Sequence, residues 1–274
     1  SALLSVIYAM TLPNIYKSEV LLAPNAGSSS NLSQMSSSLG GLAGLTGLNL
    51  GGMSGENRKN LIAIETLKSR KFFSDYLYDQ MLVELFAVKS WDAGAKENQI
   101  DPDIYNTKTN TWNSESGYSL NGKPSVQEAH SEFMGILNLV QDVKKAGLTT
   151  IVIEHKSPYV AKRWIDLIVE SLNEAIRKKD ISVAQDAIDF LVLQLSNTKQ
   201  LALNDAFSSL IEEQTKTMML ANISNEYVFK TIDPAVVSEK KSSPRRSIIV
   251  ILGAILGGLC SIIFILLRYF YKID

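Results

Sequence analysis

The sequence predicts an α+β protein anchored in a membrane: an α/β base domain, a long helix protruding from it, and a transmembrane helix at each end. Three observations predict this. Residues 247–267 form a run of 21 residues without a single charge, and as a helix such a run spans about 30 Å, the thickness of a bilayer core. Residues 1–12, SALLSVIYAMTL, are also apolar and uncharged, and Pro13 ends them. Between Pro158 and about Asn225 there is neither glycine nor a second proline, so nothing local interrupts a helical rod.

The end segments come first. Twelve residues are too few to cross a bilayer, so 1–12 read as the last turns of a first span whose start is missing. Residues 247–267 read as the second span, and 268–274 as a tail. There Tyr269, Phe270 and Tyr271, between Arg268 and Lys272, form an interfacial anchor. The two spans put residues 13–246 on one side of the membrane. Charge does not choose the side. Lys240, Lys241, Arg245 and Arg246 precede the second span and only Arg268 and Lys272 follow it, yet the positive-inside rule governs short loops, and long domains translocate largely regardless of charge.

Along the intervening chain, Ile15–Leu22 is rich in β-formers and reads as a strand leaving the membrane. Residues 25–55 are almost entirely Gly, Ser, Leu, Asn and Met, and read as a long mobile loop. Asn60–Tyr78 has helical spacing, and Met81–Val88 reads as a short strand. Trp91–Pro124, with DPD, NTKTN and NGKP, reads as surface loop. Ser125–Lys145 reads as a helix opened by a capping box, Ser125 with Glu128, and closed by Gly147 at C′. Thr149–Glu154 is a strand. Ser157 and Pro158 then read as cap and first position of the long helical region, 158–225. Its apolar residues recur at Trp164, Leu167, Ile168 and Leu172, and again at Ile181, Ala184, Ile188, Leu191 and Leu195. From Ile165 to Leu220 a continuous rod would measure roughly 80 Å, so it must protrude or break, and the polar KKDIS at 178–182 is the expected break. Residues 226–232, EYVFKTI, alternate like a strand that pairs with the first one at the base.

Composition excludes several function classes. Lys plus Arg number 27 and Asp plus Glu 28, a net charge of −1, which gives no basic surface for nucleic acid. The lone Cys260 makes no intrachain disulfide, and a four-cysteine zinc site is excluded. No catalytic, cofactor or metal set emerges. His130 lies between Glu128 and Glu132, but residues two apart do not share a helix face. His155 ends a strand, where a turn hydrogen bond accounts for it. There is no G-x-S-x-G and no G-x-x-x-x-G-K-[ST]. The more informative pattern is in the last span. Gly253, Gly257 and Ser261 fall four apart, as do Ala254 and Gly258, and such small-residue stripes let another helix approach to backbone contact. The first span and a neighbouring protomer are the natural partners.

Several stretches together resemble one family. LIEEQTKTMMLANISNEYVFKTIDPAVVSEKKSSPRRSIIVILGAILGG is similar to the C-terminal signature of the Wzz-type polysaccharide chain-length determinants, or co-polymerases. Pro234, Pro244, Arg245, Gly253 and Gly257 stand where that family has its proline–basic–glycine pattern, with Arg246 completing the basic pair. SPYVAKRWIDLIVESLNEAIRKKDISVAQDAIDFLVLQLSNT resembles the family's long-helix region, and IYKSEVLLAP its first strand. GGLAGLTGLNLGG with LIAIETLKSRKFF resembles a subgroup carrying such an insertion. Residues 91–124 carry no part of the resemblance.

The resemblance implies a bacterial inner-membrane protein with two spans, short cytoplasmic ends and a large periplasmic domain. It implies homo-oligomerisation and a non-catalytic role, without cofactor. That role would be to set how many repeat units an O-antigen-type polymerase adds before release, as in lipopolysaccharide biosynthesis. The implied partners are further copies of the chain, the inner-membrane polymerase, the lipid-linked glycan and the lipid bilayer, with no nucleic acid. Two rivals stand beside it. One is a co-polymerase working with a tyrosine autokinase in capsule or exopolysaccharide export. The other is a periplasmic efflux adaptor, which would need the paired lipoyl halves that this sequence lacks.

Overall fold

A four-stranded antiparallel sheet organises the chain. In the computed structural model, residues 2–25, 55–142, 147–197 and 201–271 are described. The order is α1 (Ala2–Thr11), β1 (Tyr16–Pro24), α2 (Gly55–Lys68), a helical and then π-helical turn (Arg70–Leu77), α3 (Tyr78–Ala87), β2 (Val88–Asp92), β3 (Glu97–Ile100), β4 (Tyr105–Asn106) and β5 (Thr111–Trp112). There follow α4 (Val126–Ile136), β6 (Leu137–Asp142), β7 (Leu148–His155), α5 (Pro158–Asn197), α6 (Leu201–Ile223), β8 (Phe229–Asp233) and α7 (Arg246–Tyr271). The sheet runs β6-β7-β1-β8. The first and last strands pair antiparallel, as expected, and β1 pairs along its other edge with β7, from Tyr16 opposite His155 to Leu22 opposite Thr149.

Alternation in β1 turns Ser18, Val20 and Leu22 inward. They meet Ile151 and Ile153 of β7 and the first half of α5, where Trp164, Ile165 and Ile168 are fully buried. Each such aliphatic side chain contributes about 1.5–3 kcal/mol by leaving water. A second wall comes from Phe73, Leu77 and Met81 with Phe133 of α4; the Phe73 and Phe133 rings lie 5.1 Å apart.

Four expectations are corrected. Residues 81–88 are helix, not strand: Met81 and Leu82 face the core from α3, and the strand starts only at Val88. Residues 91–124 are not plain loop but carry two short hairpins, β2–β3 and β4–β5. The helix opened by the Ser125–Glu128 capping box, which is present in full, stops at Ile136. Residues 137–142 instead pair with β7 from Leu137 opposite Ile153 to Asp142 opposite Leu148. Backbone pairing with an existing strand outweighs a helical continuation through Gly135. Gly147 does adopt a positive φ of 73°, but it opens β7 rather than closing a helix.

The fourth correction concerns the rod. α5 runs unbroken through KKDIS for 40 residues, about 60 Å. No residue in KKDIS disfavours helix strongly enough to end it, and Asp180 is tied to the base. The reversal falls between Asn197 and Leu201, and α6 packs back along α5. The stalk is therefore a helical hairpin. Pro158 opens it as expected. Ser157 contributes its carbonyl to Ala161 N (3.1 Å), while its buried hydroxyl makes no capping bond among the described residues.

The Gly/Ser-rich stretch expected to be mobile falls, over 26–54, outside the described residues. Residues 268–271, expected as tail, continue α7. Among the described residues no helix is long and apolar enough to cross a membrane; α7 has its backbone described to Tyr271 but its side chains only to Leu259.

Candidate functional site

Three places in the fold gather candidate residues: the foot where α1 and α7 meet, the root of the stalk, and the stalk's outer surface.

At the foot, α1 and α7 lie side by side. Ala9 is buried between them, and a Cβ on Gly253 would overlap the Ser5 side chain. Gly253 is thus needed for this close approach. Gly257 is half-exposed on the α7 face that Gly253 occupies, whereas Ala254 and Gly258 are exposed, and a Cβ on Gly258 meets nothing within 4 Å. The side chain of Ser261 lies outside the described residues. Of the predicted small residues, then, Gly253 is taken up against α1, while Ala254 and Gly258 face outward.

Just above this pair the backbone is stitched. Ile15 N donates to Ser243 O (2.9 Å) and Ser242 N to Ile15 O (2.8 Å). The Arg246 guanidinium donates to Leu12 O (3.3 Å) and to Asn14 Oδ1 (3.1 Å), and Lys241 Nζ reaches the same Asn14 oxygen (3.5 Å). Leu12 follows the last turn of α1, where orphan carbonyls favour a cation. Arg246 therefore joins the two chain ends. Of the predicted juxtamembrane residues, Pro244 and Arg246 come together here, and Arg245 is exposed. Pro234 lies elsewhere, on an open cleft of about 790 Å³ beside Tyr76, Gln80, Glu170 and Arg177. Asn14 was not picked out from the sequence; its place directly after Pro13 was the available signal.

At the stalk root, Asn173 is buried among apolar neighbours. Its Oδ1 accepts from Val228 N (2.8 Å) and Phe229 N (3.0 Å), and its Nδ2 donates to Val169 O (3.1 Å) and Phe229 O (3.3 Å). About two turns further along α5, Asp180 accepts from Tyr227 Oη (2.8 Å) and Lys59 Nζ (3.0 Å). Burial, and then the Asp180 carboxylate, push the Tyr227 hydroxyl well above the usual tyrosine range, so it stays protonated and donates. These bonds fix the return strand and α2 against the stalk. A polar residue inside the Ile168–Leu172–Ile176 stripe was the signal for Asn173.

The two histidines are structural. His130 Nε2 lies 2.8 Å from Lys68 O and packs edge-on to Phe73. His155 Nδ1 accepts from Ser157 N (2.9 Å), which leaves its Nε2–H to donate to Glu84 O (3.1 Å). Burial lowers its pKa to about 4, so the ring is neutral near pH 7. Glu84 receives Trp164 Nε1–H (3.0 Å) and pairs with Arg163; burial raises its pKa against that pairing. Among the described residues no three His, Cys, Asp or Glu side chains stand close enough to hold a metal.

The stalk's two faces differ. Ala184 and Leu191 are buried, and Ile188 and Leu195 partly so, on the stripe predicted from their spacing. Val183, Phe190 and Leu193 on α5, with Leu203, Met219 and Ile223 on α6, are exposed. A helix pair that leaves large apolar side chains in water has surface to bury against something else.

Comparison with known proteins gives two kinds of match. Residues 192–270 match the family model GNVR, described as "G-rich domain on putative tyrosine kinase". That span contains the stretch from Leu210 to Gly258 that carries the most specific part of the Wzz-type resemblance. No curated protein matches the chain by sequence. Among solved structures, a fragment of WzzB, a polysaccharide co-polymerase from Salmonella Typhimurium, is similar at 12% identity and a TM-score of 0.34, over 84% of this chain and 100% of that one. A full-length bacterial polysaccharide co-polymerase is similar at 12% identity and 0.34, over 99% of this chain and 94% of the other. Both superpositions are loose.

Proposed function

We propose that this chain is a Wzz-type polysaccharide co-polymerase: a non-catalytic, membrane-anchored regulator of polysaccharide chain length. The observation that carries the reading is the stalk hairpin, rooted in the base through Asn173 and Asp180 and apolar on its outer face at Val183, Phe190 and Met219. Such a surface supports side-by-side packing of several copies into a homo-oligomeric scaffold. The paired chain ends support anchoring at a single foot. The apolar run 247–267 supports a span there, α1 supports the end of a first, and the resemblance supports an inner-membrane position with the domain in the periplasm. The open stripe Ala254–Gly258 is then available to a neighbouring protomer within the bilayer. The scaffold would hold the polymerase, and through it the lipid-linked glycan, so that modal length depends on assembly geometry. O-antigen is the polymer favoured by the resemblance.

The experiment is deletion of the gene and complementation with chains altered on the stalk. Loss of modal length on deletion, and its failure to return with Phe190→Asp although the protein is made, supports the reading; an unchanged glycan ladder overturns it. A second reading is favoured by the tyrosine-kinase context of the matched family model: a co-polymerase coupled to a tyrosine kinase in capsule or exopolysaccharide export. It predicts that deletion abolishes surface capsule and alters tyrosine phosphorylation of a partner kinase, with any O-antigen ladder left intact.

A further inference from the structure

The hairpins at 88–112 have no part in the proposed function, and the sheet register fixes where the first of them sits. β1 leaves the foot and β7 runs back toward it, with His155 directly opposite Tyr16. Tyr16 is four residues beyond Leu12, so His155 is no more than about 13 Å above the end of α1. The turn at Lys156–Ser157 and the first turn of α5 are therefore at the foot-facing tip of the sheet. The root of hairpin β2–β3 is bonded to this tip: Lys156 Nζ donates to Val88 O (2.6 Å), and His155 to Glu84 O. Trp91 of the hairpin then stacks on Tyr159 of α5, ring centroids 5.2 Å apart.

That pair has an unusual surface. Tyr159 is 45% exposed and Trp91 half-exposed. Among the described residues neither the indole N–H nor the phenol hydroxyl has a hydrogen-bond partner. Each ring thus offers an apolar body with a free polar edge, which is how Trp and Tyr sit among lipid headgroups. Charge does not draw the hairpin to any surface, since Lys89 and Lys96 balance Asp92 and Glu97 over Val88–Ile100.

We infer that the Trp91–Tyr159 pair, where hairpin β2–β3 meets the first turn of α5, rests in the headgroup layer of the membrane that holds α1 and α7, and so sets the tilt of the base. This rests on the membrane reading of the proposed function. The contact is driven by aromatic burial at an interface, so anionic lipid does not strengthen it and salt does not weaken it.

Lipid quenching of tryptophan fluorescence tests this on the full chain reconstituted in bilayers. Of the three tryptophans, Trp164 is fully buried and is a built-in reference; Trp112→Phe removes the third. Cys260, in the apolar run, carries a fluorescent label as a separate reporter of the span. The expected result is quenching of Trp91 by lipids brominated near the headgroup and less by those brominated deep in the chain, equal in zwitterionic and anionic bilayers. Trp91→Phe should remove this quenchable fraction in wild type and in Trp112→Phe alike. A quenched Cys260 label with unquenched Trp91 overturns the inference and leaves the span standing. If neither is quenched, the membrane reading falls and the inference with it. If soluble polysaccharide, but not bromolipid, changes Trp91 emission, the pair is a sugar platform and the inference is wrong.

Discussion

The base and the stalk are built from the same long helix under opposite conditions. Of the twelve buried residues of α5, ten lie at or before Ile176, where the helix crosses the sheet; only Ala184 and Leu191 lie beyond it. The base end is held by a closed core with buried hydrogen bonds to Asn173, Glu84 and His155. Among the described residues the stalk end packs on α6, and the pair leaves Phe190 and Ile223 in water. A region that satisfies itself fails when its core is cut, whereas a region that does not is altered when its partners are removed. The two should therefore respond differently to substitution.

The largest effect is expected in the base. Trp164→Ala removes a fully buried ring and the indole donor to Glu84, and should cost about 3–5 kcal/mol, read as a fall in the denaturation midpoint in detergent. A midpoint at the wild-type value would break the contrast at its stronger side. Next comes acid. His155 has its pKa lowered to about 4 from an ordinary 6.5 by burial. The unfolded chain thus binds a proton that the folded chain refuses. Stability is complete above about pH 6.5 and is lost as pH falls toward 4, by on the order of 3 kcal/mol. Glu84, raised by burial, acts in the opposite sense, favouring the fold at low pH. His155→Gln should flatten the acid slope; an unchanged slope would assign it to other groups.

In the stalk, Leu191→Ala should cost about 2 kcal/mol, the low end for a buried leucine, because a two-helix contact collapses more readily around the gap. Tyr227→Phe, which frees the Asp180 oxygen from its hydroxyl donor, should cost about 1 kcal/mol and loosen the return strand β8 against the stalk in hydrogen exchange. Phe190→Asp is the sharpest contrast: the denaturation midpoint moves by no more than about 0.5 kcal/mol equivalent, while cross-linked oligomers in native membranes disappear. If the oligomers persist, the exposed stripe is not what joins the copies. At the foot, Gly253→Leu should disturb the α1–α7 pair, and Gly258→Leu should not, as judged by disulfide trapping between cysteines introduced on the two helices.

Much of this is legible in the sequence. The capping box at Ser125, Pro158 at the helix start and the 184–188–191–195 stripe follow from short-range chemistry or from regular spacing, and the pairing of the first strand with the last from both strands adjoining the apolar ends. What escaped was set by distant partners. Residues 137–142 have two alternating leucines, Leu137 and Leu139, and become a strand because β7 offers an edge. Hairpins β2–β3 and β4–β5 are too short to show a period. Asn14 is marked only by its place after Pro13, and its role exists only because Arg246 folds back beside it. His155 ends its strand and makes the turn hydrogen bond expected there, from Ser157 N, yet its bond to Glu84 joins residues 71 apart in the chain.

By itself, the sequence determined the apolar ends, the capped start of α5 at Pro158 and the apolar stripe along it, because periodicity and caps act over a few residues. Only the tertiary structure decided that α5 continues through KKDIS and reverses after Asn197, that Gly253 faces Ser5 while Gly258 faces outward, and that Trp91 lies at the foot of the base. Those outcomes depend on which backbone and which side chain arrive from elsewhere in the chain, and the hydrogen bonds and close contacts that select them form only when the partners meet.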